Sequence, residues 1–542
     1  MHNFDGSNGK NQDRDVRLTE QRYFQQRICN LQGRFGRNPA YLYAAVGYIE
    51  EKRILGNISL VGLRGKKNTS ADGKISFTLN DAFRCLEGIP NTPKYWEAKK
   101  YEVIAKTENL GAFNIFFTFS CADLQWDANF AALLLEKGYS VNMRVITVDE
   151  QPQIVAEARS SKGQWKPLRQ FIEEEVEESY SEIIRGNVIT ATRYFHQRVK
   201  MMINKILTAK SNPLNVKNWS YKVEFQQRGA GHIHGIIWLD LKQLEKLVVG
   251  SDGKLRNPLA EDVDAACPLR GIPAVFRKLR ENAKLEEVDK RVLKTLIDEF
   301  TTVSTHPALV GQDVAQIAAE VNTHHHTLTC EKKKANTCRF HFPKPISPHP
   351  IIAEPLPLDM PVEERKKIHK ANKETIDKVM QVVTDEEFIS KLMEELPKSA
   401  ETTRQEAYDG RVERIKRVCA AAKVSLEDYL AAISTTKRGY SVVMARDADE
   451  SCINSYNEEC IRAWNGNMDM QVVLDYFAVI TYITDYYSKD ESGTAEIMKE
   501  ALAENQTSDV QKQMRIAANV FLKTRVIGEA EAAYRLLPSL TL

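Results

Sequence analysis

The sequence predicts an α+β protein built around more than one core. Three observations predict it: a length of 542 residues, helical apolar periodicity toward both ends, and an aromatic run and a hairpin-like pair of strands between them. A chain of this length is expected to divide into roughly two to four domains. Hydrophobic residues make up 43% and charged residues 27%, a globular composition that excludes fibrous and wholly disordered classes. With a net charge of +2, any nucleic-acid surface must come from local clustering of cations. No apolar run is long enough to cross a bilayer, and Met1–Arg17 lacks the apolar core of a signal peptide. An intracellular protein is expected, with its nine cysteines as thiols, metal ligands or small buried residues.

Residues 1–17 are rich in Asn, Asp and Gly and are expected to be disordered. Helical spacing from Leu18 to Gly56 (Tyr23, Ile28, Leu31, then Tyr41, Leu42, Ala45, Tyr48, Ile49) predicts two helices, and residues 64–75 read as a basic loop. Tyr95–Leu110 is again helical, Phe113–Cys121 reads as a buried strand, and Asp127–Gly138 as a short helix. An amphipathic helix is predicted from Ile189 to Lys210, followed by strands Trp219–Gln227 and His232–Leu241 around the turn Arg228-Gly-Ala-Gly231. Residues 252–320 are helical and of mixed charge, and the Pro-rich stretch Phe342–Pro361 reads as an extended linker. Residues 362–436 are charged and helical. Met468–Leu474 reads as a strand, and Asp475 as the cap of a helix ending near Lys489.

His232-Ile233-His234 opens an apolar strand, so both imidazoles point to one face and can meet one divalent cation. The third ligand depends on the hairpin. A three-residue loop, Gly229–Gly231, places Glu224 and Gln226 on the histidine face; a two-residue loop places Phe225 and Gln227 there. An aromatic residue prefers the core, so the first register is favoured, with Gln226 as the third ligand and Glu224 second. Tyr482 and Tyr486 stand at i and i+4 with Lys489 at i+7, all on one helical face. A phenol can attack phosphorus and hold a covalent phosphotyrosine. Each pattern alone is common in ordinary cores. A further candidate metal site is the stretch from His324 to His341, with His326, Cys330, Cys338 and His341 as ligands for a structural Zn2+ and His324 as an alternative first ligand.

Taken in order, these stretches resemble the N-terminal replication-initiator region of Helitron rolling-circle transposases. Asn91-Thr-Pro-Lys-Tyr-Trp96 and Gly111–Trp126 are similar to the first motif region, and Glu224–His234 to the metal-binding motif. Arg462–Gln471 and Tyr482-x-x-x-Tyr486-x-x-Lys489 are similar to the tyrosine region. The resemblance implies a ferredoxin-like antiparallel sheet, the core of HUH endonucleases, carrying large helical insertions and a Cys/His-rich segment. It implies that His232 and His234, with Gln226 or Glu224, bind Mg2+ or Mn2+, and that Tyr482 and Tyr486 are nucleophiles assisted by Lys489. The implied reaction is nicking and strand transfer of single-stranded DNA through a 5′-phosphotyrosine with a free 3′-OH, in the nucleus.

Such proteins continue into a helicase. Here Gly62-Leu-Arg-Gly65-Lys66-Lys67 is a poor phosphate-binding loop, so a truncated copy served by a helicase in trans is expected. Arg228 beside the metal strands, and Arg193, Arg198, Lys200 and Lys222, are candidate phosphate contacts, with Trp219 and Tyr221 as stacking residues. The expected organisation is 18–95 helical, 96–250 nuclease core, 251–320 helical insertion, 321–345 zinc segment, 346–361 linker, 362–450 helical, and 451–542 tyrosine helix and remainder. A catalytically inactive or domesticated DNA-binding remnant is the alternative.

Overall fold

A computed structural model describes residues 18–30, 33–64, 83–90, 92–148, 151–225, 229–250, 254–259, 262, 266–327, 330, 338–357, 359–476, 478–479, 481, 492–505, 509–524 and 526–537. The protein is α+β. Its strands are β1 (Ile115–Ser120), β2 (Val141–Val148), β3 (Gln151–Arg159), β4 (Trp165–Pro167), β5 (Val216–Phe225), β6 (Gly231–Leu239), β7 (Val248–Val249), β8 (Leu255–Arg256), β9 (Ile351–Pro355), β10 (Thr435–Thr436), β11 (Ser441–Val443) and β12 (Met468–Val472). The central sheet has the order β12-β1-β6-β5 and is antiparallel throughout.

Strict alternation builds this sheet. On β1 the side chains of Ile115, Phe117 and Phe119 are fully buried, while Phe116, Thr118 and Ser120 turn to the other face. Ile233 and Ile237 of β6 and Met468, Met470 and Val472 of β12 join the buried side. That face packs on Phe195 and Val199 from the helix Val188–Met201, and on the helices Ile272–Arg280, Glu287–Phe300 and Gln312–Val321. The helices of 251–320 therefore share the main core with the sheet.

Glycine lets β6 approach its neighbours. A Cβ on Gly235 would stand 2.2 Å from the Phe117 ring, and one on Gly231 would stand 2.6 Å from the Phe195 ring. The second contact corrects the expected hairpin. Gly231 is a strand residue paired with Phe225, not the last residue of a three-residue loop. Phe195 needs the missing side chain at Gly231, and this fixes the register.

The Pro-rich stretch expected as a linker carries β9 instead, paired parallel with β10 and antiparallel with β11. Its prolines flank Ile351-Ile-Ala-Glu354, so those four N–H groups stay available for pairing, and Ile351, Ile352 and Ala353 are buried. The helices Val362–Val383, Glu386–Glu395, Arg404–Ala421 and Leu426–Ile433 complete a second core there. The sheet β2-β3-β4 packs on the helix Asp127–Glu136 and was not anticipated from the sequence. At the two ends of the chain, Leu42, Ala45 and Val46 of the helix Pro39–Arg64 pack on Ala532, Ala533 and Leu536, and Arg535 donates to Glu50 at 2.9 Å. Among the described residues no helix is long and apolar enough to cross a membrane.

Gly235→Ala is expected to lower unfolding stability by about 1–3 kcal/mol through overpacking against Phe117. Urea denaturation followed by circular dichroism measures this. An unchanged midpoint would mean that Phe117 yields freely.

Candidate functional site

On the face of the central sheet opposite the core, one end is apolar, with Phe116, Ile236 and Trp238 in a small cluster, and the other end is polar. Directly paired residues on antiparallel strands share a face. Glu224 and Ser120 flank His232, Lys222 and Thr118 flank His234, and Asp469 stands beyond Thr118. The two imidazole centroids lie 4.4 Å apart. Ser120 Oγ lies 3.0 Å from His232 Nδ1, and Glu224 Oε2 lies 3.0 Å from His234 Nε2. Ile233, between the histidines, is fully buried on the core side.

Of the two carboxylate or amide ligands expected on β5, the structure places Glu224 beside the histidines. Gln226 and Arg228 lie outside the described residues. Burial, reinforced by the adjacent His234, pushes the His232 imidazole down to about 3, so the ring is neutral. Two imidazoles and a carboxylate on one face are a donor set that suits a divalent transition metal better than Mg2+. Glu224 instead hydrogen-bonds His234, so the three donors are not gathered as a closed cage. Asp469 is half-buried in the cavity wall. Burial raises its pKa, against hydrogen bonds from Ser455 (2.7 Å) and Gln471 (2.6 Å).

Tyr482, Tyr486 and Lys489 lie outside the described residues; the approach to them does not. After β12, the Ala478 N–H donates to Asp475 Oδ1 at 2.9 Å, the cap expected from the sequence. Tyr476 packs on Phe113 with centroids 5.2 Å apart, and Val479 joins the cluster around Trp238. Asp475, Ala478 and Val479 line a cavity of about 1050 Å3 together with Thr118, Ser120, His232, His234 and Asp469.

His324, Arg339 and Phe340 of the Cys/His segment line the same cavity. Among the described residues, His324, His326, Cys330 and Cys338 form the one group of three or more potential metal donors lying within 4.8 Å of one another. Cys330 Sγ is 3.5 Å from His326 Nδ1, and Cys338 Sγ is 3.4 Å from His324 Nε2. His341, expected as the fourth ligand, is not in the group. Its φ of +59° places it at a chain reversal just after Cys338. His324 takes the position because its N–H is held by the Cys452 carbonyl at 2.7 Å and its ring stacks on Phe342 at 4.6 Å.

The candidate phosphate contacts divide. Arg198 donates to the carbonyls of Ala463 and Trp464, both at 2.6 Å, and covers the Trp126 ring at 4.5 Å, so it braces the helix Glu458–Trp464. Lys222 is buried, at 8% exposure. Arg193 is exposed and Lys200 half-buried. Trp219 and Tyr221 face away from the histidines and line a separate cavity of about 510 Å3 with Tyr95 and Tyr534. Sequence reasoning missed Ser120, although its place in the alternation Phe117-Thr-Phe-Ser120 was a usable signal. It also missed Asp469, whose strand meets β1 only through the fold.

The unfolded chain protonates a histidine near about 6.5, so the stability that neutral His232 contributes is complete above that pH and is lost as pH falls toward its depressed folded value. Denaturation of the metal-free protein between about pH 7 and about pH 4 should show declining stability, with a shallower decline in His232→Gln. Parallel slopes in the two proteins would refute buried neutrality at this ring.

No curated protein and no solved structure shows a significant match to the chain. The family described as "Helitron helicase-like domain at N-terminus" matches residues 50–237, from within the helix Pro39–Arg64 to β6, and the match includes the histidine pair. Residues 50–237 are thus similar to a Helitron helicase-like N-terminal region.

Proposed function

We propose that the protein nicks single-stranded DNA and transfers the cut strand, as the initiating nuclease of rolling-circle transposition. The observation that carries this reading is that His232 and His234 line one cavity with Asp475, Ala478 and Val479, which shortly precede Tyr482 and Tyr486 in the sequence. The sheet order supports it. Counted among the sheet's own strands, the spatial order is fourth, first, third, second, all antiparallel, which is the order of a ferredoxin-like core. The match of residues 50–237 to a Helitron helicase-like domain supports it further.

In this reading the Tyr482 or Tyr486 phenol loses its proton and attacks phosphorus. The bond from phosphorus to the 3′ oxygen breaks, and that oxygen takes a proton to leave a free 3′-OH. The strand stays linked through a 5′-phosphotyrosine, and the reverse attack by a 3′-OH rejoins it without a nucleotide cofactor. Mn2+ or Mg2+ held at His232 and His234 supplies charge stabilisation at the scissile phosphate when bound. Ser120 orients the His232 ring through Nδ1, and Glu224 does the same for His234, the usual outer support of metal-binding imidazoles; Glu224 can also turn to serve as a ligand. Lys489, three residues after Tyr486 in the sequence, offsets phosphate charge. A nuclear location belongs to the same proposal.

The His324, His326, Cys330 and Cys338 group is proposed as a structural Zn2+ site. Tetrahedral zinc with bonds of about 2.0–2.3 Å sets its ligands about 3.3–3.8 Å apart, which matches the two Sγ–N separations. Cys330→Ser is expected to lose the ion in elemental analysis and to melt at a lower temperature. Full zinc retention would remove Cys330 from the site.

Labelled single-stranded oligonucleotides incubated with the protein and Mn2+ should yield a covalent adduct on a denaturing gel. Chelation, His232→Ala, or Tyr482→Phe combined with Tyr486→Phe should reduce the adduct by at least about 100-fold. DNA binding with no adduct across a broad substrate set would establish the inactive, binding-only alternative.

A further inference from the structure

The Cys/His group does more than staple a loop. Cys338 is followed directly by Arg339 and Phe340, which carry the chain along the wall of the histidine cavity. Phe340 is 46% exposed, unusual for a phenylalanine beside a packed cluster. The Arg339 guanidinium lies over its ring at 4.6 Å, and the His324 ring meets it edge-on at 5.6 Å. Lys344 Nζ donates to the Phe340 carbonyl at 2.8 Å and lines the same cavity, so a second cation stands beside the turn.

An exposed aromatic ring overlaid by a guanidinium, with a lysine on its backbone carbonyl, matches the chemistry of an unpaired nucleotide: a flat base next to an anionic phosphate. A peptide or lipid would not require a planar cation and an aromatic ring side by side. The platform also touches the metal group twice, through the chain at Cys338 and through ring contact at His324. Removing an ion from that group frees both contacts together.

We propose that Arg339 and Phe340 form a base-stacking platform for single-stranded DNA, and that the ion held by His324, His326, Cys330 and Cys338 sets the platform in place over the histidine cavity. The proposal rests on the nuclease reading for the identity of the strand, and it adds a binding subsite and a metal that acts on binding rather than on bond cleavage. Linkage then requires that DNA and the ion tighten each other's binding by the same factor.

The test uses the full chain and fluorescent oligodeoxythymidine without Mn2+, read by anisotropy. Phe340→Ala should weaken binding by about 10-fold and Phe340→Trp should restore it. Arg339→Gln should weaken binding and flatten its dependence on salt. Zinc-stripped protein should bind as weakly as Phe340→Ala, with circular dichroism confirming that the rest of the fold persists, and zinc stripping should have no further effect on Phe340→Ala. Wild-type affinity in both Phe340→Ala and Arg339→Gln overturns the platform. Unchanged affinity after zinc removal overturns the metal's part in it. The nuclease reading fails separately: loss of affinity in Phe340→Ala with no adduct from the wild-type protein would leave the platform standing and remove the chemistry.

Discussion

Strand β1 is the constraint on which the rest depends. It is the only described strand paired with both β6 and β12, so it joins the histidine pair to the segment leading to the tyrosines. Its alternation must satisfy two environments at once. Ile115, Phe117 and Phe119 supply apolar area to the main core, while Thr118 and Ser120 floor the cavity on the other side. A slip of one residue would exchange the two sets, place phenylalanines among the histidines and bury hydroxyls without partners. Asn114 fixes the register from one end: its N–H donates to the Ile237 carbonyl, its carbonyl accepts from Val473, and its side chain accepts from Leu239, all at 2.8 Å. Trp464 fixes the other end through an indole hydrogen bond to the Ser120 carbonyl at 2.8 Å.

Much of the local structure was legible because its signals are local. The aromatic alternation of β1, the histidine spacing on β6 and the Asp475 cap each depend on a few neighbouring residues. What was not legible depends on distant partners. The hairpin register turned on Phe195, a residue of another element that leaves no room for a side chain at Gly231. Proline content suggested a linker at 346–361, but the four residues between the prolines pair with strands that lie much later in the chain. His324 and His341 are equivalent by composition. Only the stacking on Phe342 and the backbone bond to Cys452 select His324. Arg198 looked like a phosphate contact because its own helix face is basic; the carbonyls that occupy it come from the helix Glu458–Trp464.

The second core is tied to the site by buried charge. Arg414 pairs with Asp447 at 2.6 Å, and Lys398 with Asp449 and Glu450 at 2.7 and 2.8 Å, all immediately before the stretch that leads into β12. Burial would raise the Glu450 pKa, but Lys398 and Arg411 hold its carboxyl well below the ordinary range. Glu450 also accepts the Thr305 N–H at 2.6 Å, so one carboxylate binds both cores. Apolar packing could stabilise this junction equally well, but it would tolerate sliding. Matched hydrogen-bonded charges leave one arrangement, because any other strands an ion in a dry interior.

That rigidity has a consequence at the cavity. Arg446, at the start of the same stretch, donates to the Ile453 carbonyl at 2.7 Å, and the Ser347 N–H is held by the Arg446 carbonyl at 2.9 Å. Three residues earlier, the Lys344 N–H is held by the Ser451 carbonyl at 2.8 Å, and Lys344 supports Phe340. The charge network therefore positions both the chain entering β12 and the chain leaving the Cys/His group. These are two walls of one cavity, set by a single buried junction, and the histidine face forms the third. The helices beyond residue 345 thus do not need to touch DNA to matter for the site: they fix the spacing between the wall that would hold a strand and the wall that would cut it.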